Sequence, residues 1–229
     1  MSTEMPPSGK DPAASTKLQI LATEHWSLLA TRTLTYTESL SRVTIFLTIL
    51  SGSVIALALV AQVSRFGPAF IAIAIPLLAV VVLTGISTIG RLMQLNGDDF
   101  RWVIGMNRLR HAYLELHPEL EPYFITGSHD DLPGALQTIG YQLATGRRVG
   151  SILHTIQVLP GMLSVIVASV VGAIGALAAL AVGLPPLGVV LSAAAGFVIA
   201  MVWLLSWGRR GLRRRPDPSL EPRFPSAPR

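Results

Sequence analysis

The sequence of 229 residues has no cysteine, and only 14% of its residues are charged while 51% are apolar. Without cysteine there is no disulfide framework, no thiolate metal site and no thiol nucleophile. Soluble domains carry about 25% charged residues, so a globule of this composition lacks the polar surface to cover its core. The same apolar excess, with a mean hydropathy of +0.55, excludes a disordered chain. Motifs of chemistry are missing too: there is no Gly-x-Ser-x-Gly elbow, no phosphate-cradling loop and no HExxH pair. No cleavable signal peptide is expected either, because Met1–Ala14 carries three prolines and no apolar centre.

What is present is long uncharged sequence. Val43–Ser64 runs for 22 residues without charge, Phe66–Gly90 for 25 and Val149–Gly208 for 60. A helix needs about 20 apolar residues to cross a hydrocarbon core about 30 Å thick. The third run is long enough for two spans and is broken at Gly183-Leu184-Pro185-Pro186, where two missing donors stop a helix. The chain is therefore predicted to be an all-α polytopic membrane protein with spans at 43–63, 70–92, 161–182 and 187–207. The strand alternation of a membrane barrel is absent.

Of 18 Lys and Arg residues, 17 lie before the first span, between spans two and three, or after span four; Arg65 stands alone on the other side. Basic residues are retained in the cytoplasm, so an N-in, C-in topology in the plasma membrane is predicted. Residues 1–14 are expected to be a disordered tail, 15–42 a cytoplasmic helix leading into the first span, 93–148 a cytoplasmic helical loop and 208–229 a basic disordered tail. Arg209, Arg210, Arg213, Arg214 and Arg215 are expected to anchor topology and to face lipid headgroups. An isoelectric point near 10.2 reports this orientation; no basic surface studded with aromatic residues accompanies it, so no nucleic-acid partner is expected.

Thr16 with Gln19 has the pattern of a capping box and is predicted to start the first helix. Its cytoplasmic part places Trp26, Leu29, Thr33, Tyr36 and Leu40 on one stripe. A second stripe, Leu95, Trp102, Met106, Leu109, Tyr113 and Leu116, is predicted to pack against it. Asn96-Gly97-Asp98-Asp99 is expected to break or recap the second helix, with Asp98 or Asp99 as N-cap, and Pro118 and Pro122 to end it. The segments Ala22–Arg42, Ile104–Phe124 and Ser128–Asp131 resemble uncharacterised multi-pass membrane proteins of actinobacteria over roughly Leu18 to Asp131. That resemblance implies localisation and topology and carries no mechanism.

The candidate site residues fall in three groups. His111, Glu115, His129, Asp130 and Asp131, with His117, Glu119 and Glu121 nearby, offer imidazole and carboxylate ligands for a divalent cation. Their spacing matches no established ligand motif, and charged residues at a helix end are usually solvated, so no cofactor is assigned and a metal is only a candidate. Ser164, Ala168, Gly172 and Ala176 recur every fourth residue in span three; Gly188, Ser192, Gly196 and Ala200 do so in span four. Small residues at this spacing let helices approach closely, here most simply as a hairpin across the Pro-Pro turn. Pro76 is expected to kink span two. The remaining polar residues of the spans are mostly hydroxyls, and no ionisable residue marks a proton or ion path.

The sequence thus predicts a non-enzymatic membrane protein whose cytoplasmic helices bind a protein partner or a second copy. An oligomeric channel or pore, lined by hydroxyl-bearing faces, is the alternative, and a small transporter ranks below it.

Overall fold

The computed structural model describes residues 12–140, 159–212 and 220–226, without the side chains of 209–212. All regular secondary structure among the described residues is helical, in the order α1 (Pro12–Ser64), α2 (Pro68–Leu116), a 3-10 helix (Pro118–Tyr123), α3 (Leu132–Thr138), α4 (Leu159–Ala181) and α5 (Pro186–Leu212). Helices α1, α2, α4 and α5 are each long and apolar enough to cross a membrane. The chain divides into two compact units. The first comprises described residues 12–35, 98–140 and 220–226, and the second 36–97 and 159–212.

Local chemistry sets the helix ends. Pro68 occupies the first helical position of α2, where a missing N–H costs nothing. The α1–α2 turn is only three residues long, and Arg65 (φ 47°) and Phe66 (φ 59°) both take the left-handed conformation that disfavours a Cβ. Gly67 N–H then donates to the Ser64 carbonyl at 2.9 Å, and the Phe66 ring meets Phe70 edge-on at 5.1 Å. Helix α4 ends in a Schellman motif: Gly183, at φ +74°, donates to Leu180 O at 3.0 Å, and Leu184 N–H donates to Ala179 O at 3.0 Å. Pro186 then opens α5, so one of the two prolines that break the long uncharged run is also a helix start.

The second unit is built around Phe46, Leu78, Val81, Ile89, Leu92, Leu163, Val167 and Leu204, all nearly inaccessible. A Cβ on Gly85 would overlap Val167 Cγ2 and the Phe46 ring, so this glycine lets α1, α2 and α4 meet. Gly90 does the same for Trp207, whose ring would lie 2.9 Å from a Cβ there. Outward-facing positions are large and apolar, including Ile55, Leu59, Leu83, Leu187, Ile199 and Val202. An aqueous surface does not hold such a row of residues, whereas lipid does.

In the first unit, α1 and α2 meet through residues other than the predicted stripe. Trp26 (69% exposed) turns outward, as does Tyr36 (63% exposed) where α1 continues into the second unit. Contact is made instead by Leu28, whose Cδ1 lies 3.1 Å from the Cβ position of Gly105, by His25 against Tyr113, and by Arg32 with Asp99. The α2 side matches the prediction more closely: Met106 is buried, and Trp102, Leu109, Tyr113 and Leu116 are half-buried. Val103 and Ile104, with Ala135 of α3, form the small core beside them.

Two predicted boundaries are corrected. Helix α1 already includes Pro12, and the Thr16 hydroxyl donates to the Pro12 carbonyl at 2.9 Å inside the helix, so Thr16 is not a cap. Helix α2 runs unbroken through Asn96–Asp99. Asp99 is held as a bidentate partner of Arg32 (2.7 and 3.3 Å), and Asp98 lies 3.7 Å from Arg101. Charge pairing makes helical geometry useful at a place where local propensity alone disfavours it. Pro76 lies within α2 without ending it, and α2 does end before Pro118 as expected.

Candidate functional site

In the first unit a short loop is built by its own sequence. Asp131 caps α3, its Oδ1 accepting the Gly134 N–H at 2.9 Å, and Pro133 fits the first turn. Any Cβ on Gly134 would collide with the His129 main chain, so the loop closes only over glycine. The loop is held to α2 by Asn107, which is fully buried. Asn107 Nδ2 donates to His129 O at 2.7 Å, while its Oδ1 accepts from Arg110 Nη1 at 2.8 Å and Thr138 Oγ1 at 2.9 Å. A buried amide with both ends satisfied fixes the loop's position.

The fixed loop receives a distant piece of chain. Asp130 Oδ1 and Oδ2 accept the Phe224 N–H at 2.8 Å and the Arg223 N–H at 2.9 Å, and Oδ2 also accepts Arg108 Nε at 2.7 Å. The free edge of the same guanidinium donates to Glu221 O at 2.8 Å. Asp131 Oδ2 accepts both the main-chain N–H and the hydroxyl of Ser226. The Phe224 ring stacks on His111 with centroids 4.1 Å apart and planes 23° from parallel. Leu220 packs against the Val103–Ile104–Ala135 core. The sequence places all of 208–229 in a disordered tail; Leu220–Ser226 departs from that because two carboxylates and an arginine satisfy its main chain.

Burial opposes ionisation of Asp130, but the Arg223 N–H, the Arg108 guanidinium and the Phe224 N–H outweigh it and hold the carboxyl below its ordinary value. Asp131 is likewise opposed by burial and held low by Ser226, Gly134 and the nearby His129. Both are therefore anionic acceptors at neutral pH. Elsewhere in this unit, burial and then the Arg110 charge lower the pKa of His25, and burial raises that of Tyr113. In the second unit, Glu38 is lowered to about 2 by hydrogen bonds from Arg91 and Arg42, the Arg91 pair being bidentate at 2.9 and 3.1 Å.

The predicted metal candidates are brought into one neighbourhood but not into a ligand set. Among the described residues no group of three His, Asp or Glu side chains could hold a metal ion. Asp130 and Asp131 are directed at N–H and O–H donors; His111 lies against Phe224 and 3.7 Å from Glu115, and its ring is 6.4 Å from that of His129. His117 pairs with Glu119 at 2.9 Å. Reasoning from sequence missed Asn107, Arg108, Leu220, Phe224 and Ser226. Its one available signal is that Leu220 and Phe224 are large apolar residues set among prolines and arginines.

Of the predicted small residues, Gly172, Ser192 and Gly196 lie at contacts between α4 and α5. A Cβ on Gly172 would sit 2.9 Å from Ala193 O, and one on Gly196 would sit 3.2 Å from Val171 O. Gly175, outside the predicted set, approaches Ser192 O as closely. Ser164 and Ala168 are buried, Ala176 and Ala200 half-buried, and Gly188 lies against Leu184. Hydroxyls of the spans are turned onto their own helices: Thr48 donates to Thr44 O, Thr88 to Thr84 O, Ser164 to Pro160 O and Ser169 to Val165 O. Arg213, Arg214 and Arg215, and the side chains of Arg209 and Arg210, lie outside the described residues.

Two open hollows flank α1, one lined by Thr16, Lys17, Ile20 and Leu21, the other by Gln19, Ile20, Thr23, Glu24 and Leu109; the Thr16 and Thr23 hydroxyls in them donate to carbonyls of their own helix, at Pro12 and Gln19. Comparison with protein-family models, with curated proteins and with solved structures finds no match, so the chain is placed by its own composition and helices, as a multi-span helical membrane protein.

Proposed function

We propose that this is a non-enzymatic plasma-membrane protein with both termini in the cytoplasm, whose first unit is a cytoplasmic module for protein interaction or self-association. The observation that carries the reading is where recognition chemistry is concentrated. The spans turn their hydroxyls inward on their own carbonyls, whereas the first unit exposes Ile20 (63%), Trp26 (69%), Tyr123 (79%) and Ile125 (95%) in segments that also carry Lys17, Glu24 and Glu121. Exposed aromatic and aliphatic anchors rimmed by charge are the usual composition of a contact surface. The basic residues flanking the spans support the cytoplasmic assignment. The resemblance of Ala22–Arg42 and Ile104–Phe124 to actinobacterial multi-pass membrane proteins supports the same topology.

Photo-crosslinking residues introduced at Trp26 and at Ile125 of the full chain in its native membrane test the reading. Discrete adducts, either to a second copy or to one cytoplasmic protein, are expected. Absence of adducts from both positions, with adducts from a control position on the outward face of α5 only to lipid, contradicts it.

A further inference from the structure

We propose that the face made by Arg108, His111 and the His129–Asp131 loop is a peptide-recognition site, and that Leu220–Ser226 is its tethered, displaceable ligand. The site selects a bent segment with Leu, Phe and Ser at relative positions one, five and seven. This deepens the reading of the first unit as an interaction module, and rests on it, by naming the chemistry of what that module binds.

The contacts have the character of peptide recognition rather than of core packing. Asp130 accepts two successive main-chain N–H groups, which requires the chain to bend around the carboxylate at Arg223–Phe224, and Arg108 donates to a main-chain carbonyl, so the backbone is held whatever its side chains. Three side chains then add selection: Leu220 against the apolar patch, Phe224 on the His111 ring, and the Ser226 hydroxyl on Asp131. The intervening Glu221, Pro222, Arg223 and Pro225 are exposed. Pro222 and Pro225 fix φ at two of the seven positions, so less freedom is lost on docking. The receiving surface is fixed independently of the segment, because Asn107, Thr138 and Gly134 position the loop from within the unit.

A ligand tethered this way competes at an effective concentration on the order of millimolar, so a free peptide at micromolar concentration binds only when the tether's own contacts are weakened. The probe is a fluorescent peptide of residues 217–229, titrated into full-length protein in mild detergent. With Phe224→Ala in the protein's own segment, saturable binding is expected, and at least tenfold weaker binding to the unaltered protein. Ser226→Ala in the protein is a second way of opening the site and is expected to act in the same direction. Adding Asp130→Asn or His111→Ala to either opened protein is expected to weaken the peptide at least tenfold. A peptide phosphorylated at Ser226 is expected to lose binding, since its dianion would face the Asp131 carboxylate.

No saturable binding to either opened protein overturns the proposal, as does equal binding to opened and unaltered proteins or indifference to Asp130→Asn and His111→Ala. Peptide binding with no photo-crosslinks at Trp26 or Ile125 supports the site and removes the wider interaction reading. Crosslinks without peptide binding do the reverse.

Discussion

Asp130→Asn removes one carboxylate that joins α2 to the 220–226 segment, and its effect is calculable from the contacts. The side chain is fully buried, and Arg108, its ion-pair partner, retains 23% exposure. The carboxylate accepts Arg108 Nε and the Arg223 and Phe224 N–H groups. Hydrogen bonds to a charged group contribute about 1.5–3 kcal/mol each, and breaking a buried ion pair costs about 3–5 kcal/mol. Asparagine keeps one acceptor oxygen and relieves the burial of a charge, which offsets part of the loss. A net weakening of the docked segment by about 3 kcal/mol is expected, equivalent to roughly a hundredfold larger opened population.

Trypsin reads that population at the Arg223–Phe224 bond, whose two flanking N–H groups are both engaged when the segment is docked. Cleavage follows the opened fraction when reclosing is faster than cutting. The initial rate at this bond is therefore expected to rise by about two orders of magnitude in Asp130→Asn, with cleavage after Lys17 unchanged as an internal reference. Equal rates at Arg223 in the two proteins would refute the assignment of Asp130 as the segment's anchor.

Other outcomes follow from the same geometry. Gly85→Leu should destabilise the detergent-solubilised protein by at least the 1–3 kcal/mol typical of an overpacked core, read as a lower unfolding midpoint, because Val167 and Phe46 already fill the space. Gly172→Val should act similarly by holding α4 away from Ala193, whereas Gly97→Ala, which meets nothing within 4 Å, should leave the midpoint unchanged or raise it slightly. For pH, Asp130 and Asp131 both have lowered values in the folded protein. Their contribution to docking is thus complete above the ordinary carboxylate pKa of about 4 and is lost as pH falls through the lowered values. Hydrogen exchange at the Arg223 and Phe224 amides, corrected for intrinsic rates, should remain protected at pH 6 and lose protection as acid titrates the two carboxyls below the ordinary value of about 4; protection in acid equal to that at pH 6 would contradict this.

The four long apolar helices are legible in the sequence because their signal is local: an uncharged run of sufficient length identifies itself. The Schellman turn is legible for the same reason, with Gly183 and Pro186 placed where a helix must stop and restart. Continuity of α2 through Asn96–Asp99 is not, since the residue that engages Asp99 lies 67 positions away in α1. The inward face of α1 is equally hidden. Its charged and polar residues His25 and Arg32 face α2, while Trp26 and Tyr36 face out, so the hydrophobic stripe points away from the contact. The metal candidates illustrate a further limit. Sequence shows which carboxylates are near one another, but not that Asp130 and Asp131 are directed at Arg223, Phe224 and Ser226, more than 90 positions on.

Topology decides which side of the membrane the first unit faces, and the absence of cysteine makes it directly measurable. Single cysteines at Leu184, in the exposed α4–α5 turn, and at Ile125, 95% exposed after the 3-10 helix, can be challenged in intact cells with a membrane-impermeant maleimide. Labelling of Leu184→Cys in intact cells, with Ile125→Cys labelled only after lysis, is the expected result. Labelling of Ile125→Cys in intact cells, with Leu184→Cys protected, would contradict the cytoplasmic placement of the first unit.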